Sequence, residues 1–329
     1  MPDQLLFAAE VMLNGLMAGV MYSLVALGFV LIFKASGIFN YAQGVMALFA
    51  AMTLVGIQNG QVPFAHLINA TFGTSIHHFG WEVPALLAIL LTVLVMAAFA
   101  WAVNRWVFSK LVNQEPIILF MATIGLAFFL EGVADLMWGS EIKTLDVGLP
   151  QGINDWIDGV TFEATGYGFF IDNLDIVATV IAALLVLGLV LFSQYTKQGR
   201  ALRAVADDHQ AALSVGISLN FIWVLVWSIA GFVALVAGIM WGTKSGVQFS
   251  LSLIALKALP VLMLGGFTSI PGAIVGGLII GVGEKLFEFL IGAPYLGGAT
   301  ENWFAYVLAL IVLVFRPQGL FGERIIERV

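Results

Sequence analysis

The chain contains no cysteine, so no disulfide can form and the redox compartment stays open. Charge is scarce. Only 10% of the 329 residues are Asp, Glu, Lys or Arg, against about a quarter in an ordinary soluble domain. The formal charge of −7 and the absence of a basic face argue against nucleic-acid binding. With four histidines and no thiolate, metal ligation has poor material; His77 and His78 are adjacent and would point apart on a helix. No Gly-x4-Gly-Lys-Ser/Thr stretch occurs, so the chain has no phosphate-cradling loop of that type. The N-terminus lacks a basic region ahead of its apolar stretch, which reads as a first span and not as a cleaved signal.

What is abundant is apolar surface. Hydrophobic residues make up 61% of the chain and mean hydropathy is +1.02. A bilayer core of about 30 Å needs roughly 20 apolar residues per helix. The sequence therefore predicts an all-α polytopic membrane protein of eight or nine transmembrane helices in one domain, residues 1–329. Helices are expected near 6–32, 40–57, 83–104, 116–138, 174–195, 218–243, 253–268, 272–291 and 300–315. The seventh is short, and Pro260 within it suggests a re-entrant segment.

If all nine cross, alternate loops hold Lys34; Arg105 and Lys110; Lys197, Arg200 and Arg203; and Arg316, Arg324 and Arg328. The positive-inside rule makes those loops cytoplasmic, with the N-terminus outside and the C-terminus inside. Residues 139–172 then face out, carrying six carboxylates and one lysine. They are either a solvated connector or a docking surface for an external partner.

Polar groups in hydrocarbon must pair or face a cavity, so each is a candidate for a solute path. Asn14, Asn40, Gln43, Thr123 and Lys257 are the candidates. Asn40 can equally cap a helix. Glu131 and Asp135 share a stripe with Thr123 towards the outer end of the fourth span, where a hydrated rim is the plainer reading. Glu284, Lys285 and Glu288 read as a salt-bridge cluster. Lys257 can meet a carboxylate or snorkel to the interface. Gly272, Gly276, Gly277 and Gly281 have the small-xxx-small spacing that lets helices approach closely. Gly265 and Gly266 suggest a tight turn.

The insert at 197–216, KQGRALRAVADDHQAALSVG, is polar and helix-compatible. Leu202, Val205, Ala206 and Leu213 form a weak apolar stripe, with Arg200, Arg203, Asp207, Asp208 and His209 on other faces. Asp207 and Asp208 can also cap a second turn, with Gly216 placed to end the element. Within it QAALSVG, residues 210–216, resembles the cytoplasmic EAA-x3-G loop of bacterial ABC importer permeases, with Gln210 for the acidic residue. Gly19 to Gly44, Val261 to Gly281 and the ending FRPQGLFGE add to the match. Together they resemble the LivH type of branched-chain amino acid ABC transporter permease over nearly the whole chain.

The resemblance implies an ATP-driven importer of the bacterial inner membrane, in which this chain forms half of the translocation path. It implies a second permease subunit, two cytoplasmic ATPase subunits that bind ATP and Mg, and a soluble substrate-binding protein. The coupling residues it implies are Arg200, Arg203, Asp207, Asp208, Ala211, Ala212 and Gly216. Permeases for urea and short amides are similar in the same regions, and an ion-coupled carrier using Glu131, Asp135, Glu284 and Glu288 remains the alternative without ATPases. Where many relatives read close to Asn-Phe-Ala-His-Gly, this chain has Asn40, Tyr41, Ala42, Gln43 and Gly44, so no role that needs the histidine transfers.

Overall fold

A computed structural model describes residues 2–112, 114–207 and 209–322. The expected Asp208, and Glu323, Arg324 and Arg328 of the C-terminal end, lie outside the described residues. The described chain is all-helical, its only β-pairings being three isolated bridges. Among the described residues five helices are long and apolar enough to cross a membrane: Gln4–Ser36, Ala85–Lys110, Pro116–Trp138, Asn173–Tyr195 and Leu219–Ser245. A sixth candidate is the pair Phe249–Gly265 and Ile270–Leu296, bent by 114°. Gln43–Gln58 and Glu301–Phe315 are apolar but shorter.

In chain order the α-helices are α1 (Pro2–Ser36), α2 (Gln43–Gln58), α3 (Ala65–Phe72), α4 (Ala85–Trp106), α5 (Pro116–Trp138), α6 (Asp155–Thr165) and α7 (Asn173–Tyr195). They continue as α8 (Lys197–Asp207), α9 (His209–Ser214), α10 (Leu219–Ser245), α11 (Ile254–Gly265), α12 (Ile270–Phe287) and α13 (Glu301–Phe315). The chain divides into two compact units. One comprises Met1–Val30, Leu149–Val190 and Leu256–Val329, and the other Leu31–Gly148 and Leu191–Ala255.

The second unit is built around α2, in which every residue from Gln43 to Gly56 is buried. A helix apolar on all sides can be enclosed on all sides, and α4, α5 and α10 pack around it. Close approach depends on missing side chains: a Cβ on Gly238 would lie 2.5 Å from the Ala47 carbonyl oxygen. Trp138 closes one end, its ring against Gly56 and its Nε1 donating to Thr53 Oγ1 at 3.2 Å. Beside it Lys143 is buried and donates to Gln61 Oε1 and the Trp138 carbonyl, both at 2.6 Å. Burial pulls that ammonium below its ordinary pKa, with Glu141 opposing.

In the first unit α1 and α12 meet along a glycine seam. Gly15 lies against Gly281 and Val282, and Gly19 against Gly277 and Leu278. Ser23 extends the seam, its hydroxyl donating to Gly19 O at 2.8 Å and Ile274 O at 3.3 Å. The expected small-residue spacing is therefore used twice. Gly277 and Gly281 receive α1, while Gly272 and Gly276 receive the end of α11 at Gly265.

Between α11 and α12 the chain turns at Gly266, with φ +100°. The ending identified in the sequence fastens this turn. Leu320 N donates to Leu264 O at 2.8 Å and Phe321 N to Gly265 O at 3.1 Å, occupying two carbonyls that a helix end leaves without partners. A second orphan arises inside α11, because Pro260 has no N–H to offer the Leu256 carbonyl four residues earlier. Tyr306 Oη donates to that carbonyl at 2.6 Å. Tyr306→Phe is expected to leave it unsatisfied and to destabilise the protein by about 1–3 kcal/mol, read as a lower thermal unfolding midpoint in detergent.

Residues 149–172 contain a helix that was not expected, α6, capped by Asn154, whose Oδ1 accepts from Ile157 N at 2.9 Å. Next to it Tyr167 Oη donates to Glu10 Oε2 at 2.7 Å, and Phe170 N donates to Glu10 Oε1 at 3.3 Å. The hydrogen bond to Glu10, reinforced by burial, pushes the Tyr167 phenol up to about 12. A raised pKa contributes stability that is complete below the unfolded value of about 10 and is lost as pH climbs through the folded value. Phenolate absorbance of Tyr167 is expected to rise near pH 12, and the difference spectrum against Tyr167→Phe isolates it.

Candidate functional site

The path candidates fall into two clusters, one in each unit. In the second unit the α1–α2 connection carries Asn40, Gln43 and, from α5, Thr123, all buried. Asn40 Oδ1 accepts from Ala42 N at 3.2 Å, an Asx turn that starts α2. Its amide donates to Gln43 Oε1 at 3.2 Å, and Gln43 Nε2 donates to Ala230 O at 3.4 Å. Thr123 Oγ1 accepts from Tyr41 N at 3.1 Å and lies within donating distance of Phe39 O and Phe120 O. The polar demand of this corner is met inside the unit. Glu131, on the same helix as Thr123, is half-buried, and Asp135 is exposed at its far end beside a pocket of about 560 Å³.

In the first unit Lys257 of α11 is half-buried, and its Nζ lies 3.4 Å from Tyr22 Oη and 5.5 Å above the Tyr22 ring. Tyr22 in turn donates to Glu284 Oε1 at 2.5 Å. Glu284 is 1% exposed, so a carboxylate sits in the interior of an apolar unit with a phenol between it and an ammonium. Asn14 of α1 is half-buried.

The expected salt-bridge cluster at Glu284, Lys285 and Glu288 is separated into three arrangements. Successive positions on a helix face different ways, so Glu284 meets α1 while Lys285 pairs with Glu301 at 2.8 Å. Glu288 turns to the start of α13, accepting from Thr300 N at 2.7 Å and Ala299 N at 3.0 Å, where a helix N-terminus favours negative charge. Tyr22 was missed in the sequence because it lies 262 residues from its partner and a tyrosine in an apolar run carries no local signal.

The described residues of the polar insert are helical on either side of position 208, in α8 and α9. Thr196 Oγ1 accepts from Gly199 N at 2.9 Å, capping α8. Leu202 and Val205 are buried, and α8 packs against α10. The expected stripe does not continue to Leu213, which is 52% exposed. Val215 is 74% exposed. Arg200, Arg203, Asp207 and Ala211 are exposed as well, whereas Ala212 is buried within the chain's own fold. Gly216 ends α9 at φ +84°, with Ile217 N bonded to Ala212 O at 3.0 Å, the bond of a glycine-terminated helix. Among the described residues no group of three or more His, Asp or Glu is placed to hold a metal ion.

The helices of membrane-spanning length among the described residues mark a polytopic membrane protein. The chain belongs to the family described as "Branched-chain amino acid transport system / permease component", whose model matches residues 11–316. It is similar to the high-affinity branched-chain amino acid transport system permease protein LivH of Escherichia coli (strain K12), 28% identical over 341 residues with both chains covered completely. It is also 30% identical over 327 residues to the corresponding BraD protein of Pseudomonas aeruginosa, covering 97% of each chain. The ribose import permease protein RbsC of Escherichia coli (strain K12) is 26% identical over 86% of this chain and 85% of its own. Among solved structures, PsaBC from Streptococcus pneumoniae in complex with Fab covers 93% of this chain and 91% of its own, with 14% identity and a TM-score of 0.38.

Proposed function

We propose that this chain is the membrane-embedded permease subunit of an ATP-driven importer of branched-chain or related amino acids in a bacterial inner membrane. The observation that carries the reading is end-to-end similarity to LivH and BraD, at 28–30% identity with no large unmatched region in either chain. In this reading the five long helices, the two shorter apolar helices and the two arms of the bent pair all cross, giving nine spans, an outer N-terminus and a cytoplasmic C-terminus. The insert then lies in the cytoplasm, where its arginines and its exposed Leu213 and Val215 form a knob for a separate ATPase subunit. The full assembly pairs the chain with a second permease and two ATPases and takes solute from a soluble binding protein. The Tyr22–Lys257 cluster and Asn14 serve the path, and Asn40, Gln43 and Thr123 hold the corner from which α2 starts.

Affinity purification from the native membrane, followed by ATPase assays against a panel of amino acids, urea and amides, tests this. A second permease and ATPase subunits that co-purify, with hydrolysis stimulated by a branched-chain amino acid and its binding protein, are expected. Stimulation by urea or an amide alone would replace the cargo. A chain that purifies alone and transports on an ion gradient would overturn the reading.

A further inference from the structure

In the cluster of Lys257, Tyr22 and Glu284 the ammonium has unused donors. An ammonium has three donors. Lys257 makes a single hydrogen bond with the described residues, to Tyr22 Oη, and that bond is long at 3.4 Å. Glu284 is enclosed, and it accepts a hydrogen bond from the Tyr22 hydroxyl at 2.5 Å. The phenol therefore accepts from the lysine and donates to the carboxylate, which fixes the ring and holds the ammonium above it. The lysine side chain keeps partial exposure.

Resting on the amino-acid permease reading, we propose that Lys257 binds the α-carboxylate of the passing amino acid, with Tyr22 and Glu284 as positioning residues behind it. Charge balance selects the ligand. Lys257 and Glu284 carry opposite formal charges, so a zwitterion adds none, whereas a carboxylate from a neighbouring protein chain would leave one negative charge uncompensated in apolar surroundings. Binding exchanges a long contact to a phenol for a charge-assisted bond to a carboxylate, and the Tyr22–Glu284 bond stays in place. The ammonium sits one turn before the proline break of α11, so a ligand held there acts on the bent segment itself.

The test uses the purified assembly in nanodiscs. Thermal unfolding of the wild type is measured with millimolar leucine and with leucinamide, which lacks the carboxylate, and ATP-driven leucine uptake is measured in vesicles. Leucine is expected to raise the midpoint and leucinamide to leave it unmoved. Lys257→Met is expected to lose that shift and to cut kcat/KM for uptake about tenfold or more, the scale of one charge-assisted hydrogen bond. Lys257→Arg is expected to recover part of both. Equal stabilisation by leucinamide, or uptake by Lys257→Met at the wild-type kcat/KM, would overturn the assignment. So would a Lys257→Met chain that folds but no longer retains the second permease, since the lysine would then be an assembly contact. A wild-type assembly that moves no amino acid refutes the permease reading; one that moves leucine regardless of Lys257 refutes the present inference alone.

Discussion

Gly281→Leu is expected to prevent accumulation of folded protein. A Cβ at position 281 would fall on the Gly15 carbonyl and the backbone of Gly19, and a full leucine has no direction in which to relax. Both surfaces in contact are main chain, so α1 and α12 would have to separate along the whole seam. Overpacking of this kind costs on the order of 3 kcal/mol or more, which is a large share of a typical folding stability. Gly188→Ala in α7 is the control, because nothing lies within 4 Å of a Cβ there and the helix itself favours alanine by about 1 kcal/mol. Yield after membrane extraction and the unfolding midpoint in detergent should collapse for the first and hold for the second. Equal midpoints would mean that α1 and α12 do not pack through their glycines.

The second large effect is functional. Replacing Leu213 and Val215 together with aspartate is expected to reduce ATP-driven uptake more than tenfold while the unfolding midpoint stays within a degree or so of wild type. Both side chains are more than half exposed, so polar replacement removes little from this chain's own packing. At an interface, two aliphatic contacts of a central knob are worth about 1–2 kcal/mol each or more, and buried aspartates add a desolvation cost. Co-purification of the ATPase is the second readout. An unchanged uptake rate would remove the insert from energy coupling. A bulky change at Ala212 does not make the same test, because that side chain is buried within the chain's own fold.

The long apolar helices could be read from the sequence because hydrocarbon imposes a length as well as a composition. The run read at 116–138 coincides with α5, and the run at 174–195 differs from α7 by one residue. Gly216 was equally legible, since a glycine that ends a helix is a local event. The small element α6 carried its own signals, Asn154 followed by Asp155 and Asp158, which were passed over because the stretch was read for its charge, as a connector or a docking surface, and not for its caps. Least legible was the pairing of polar groups. Lys285 has carboxylates at neighbouring positions on its own helix, yet it bonds to Glu301, and Glu284 bonds to a tyrosine from the first helix. Helical spacing says which side chains share a face and nothing about which other helix that face meets.

The glycine seam also orders events during synthesis. Gly19 and Gly277 are 258 residues apart (277 − 19), so α1 enters the bilayer long before its counterpart exists. At about 5–20 residues per second the ribosome needs roughly 13–50 s to supply that counterpart. For that interval the smooth face of α1 is open to lipid or to any other small-residue helix being inserted nearby. The nascent chain is thus most exposed to mispairing through the segment it makes first, and the hairpin that rescues it is followed within a few dozen residues by the tail that locks its turn.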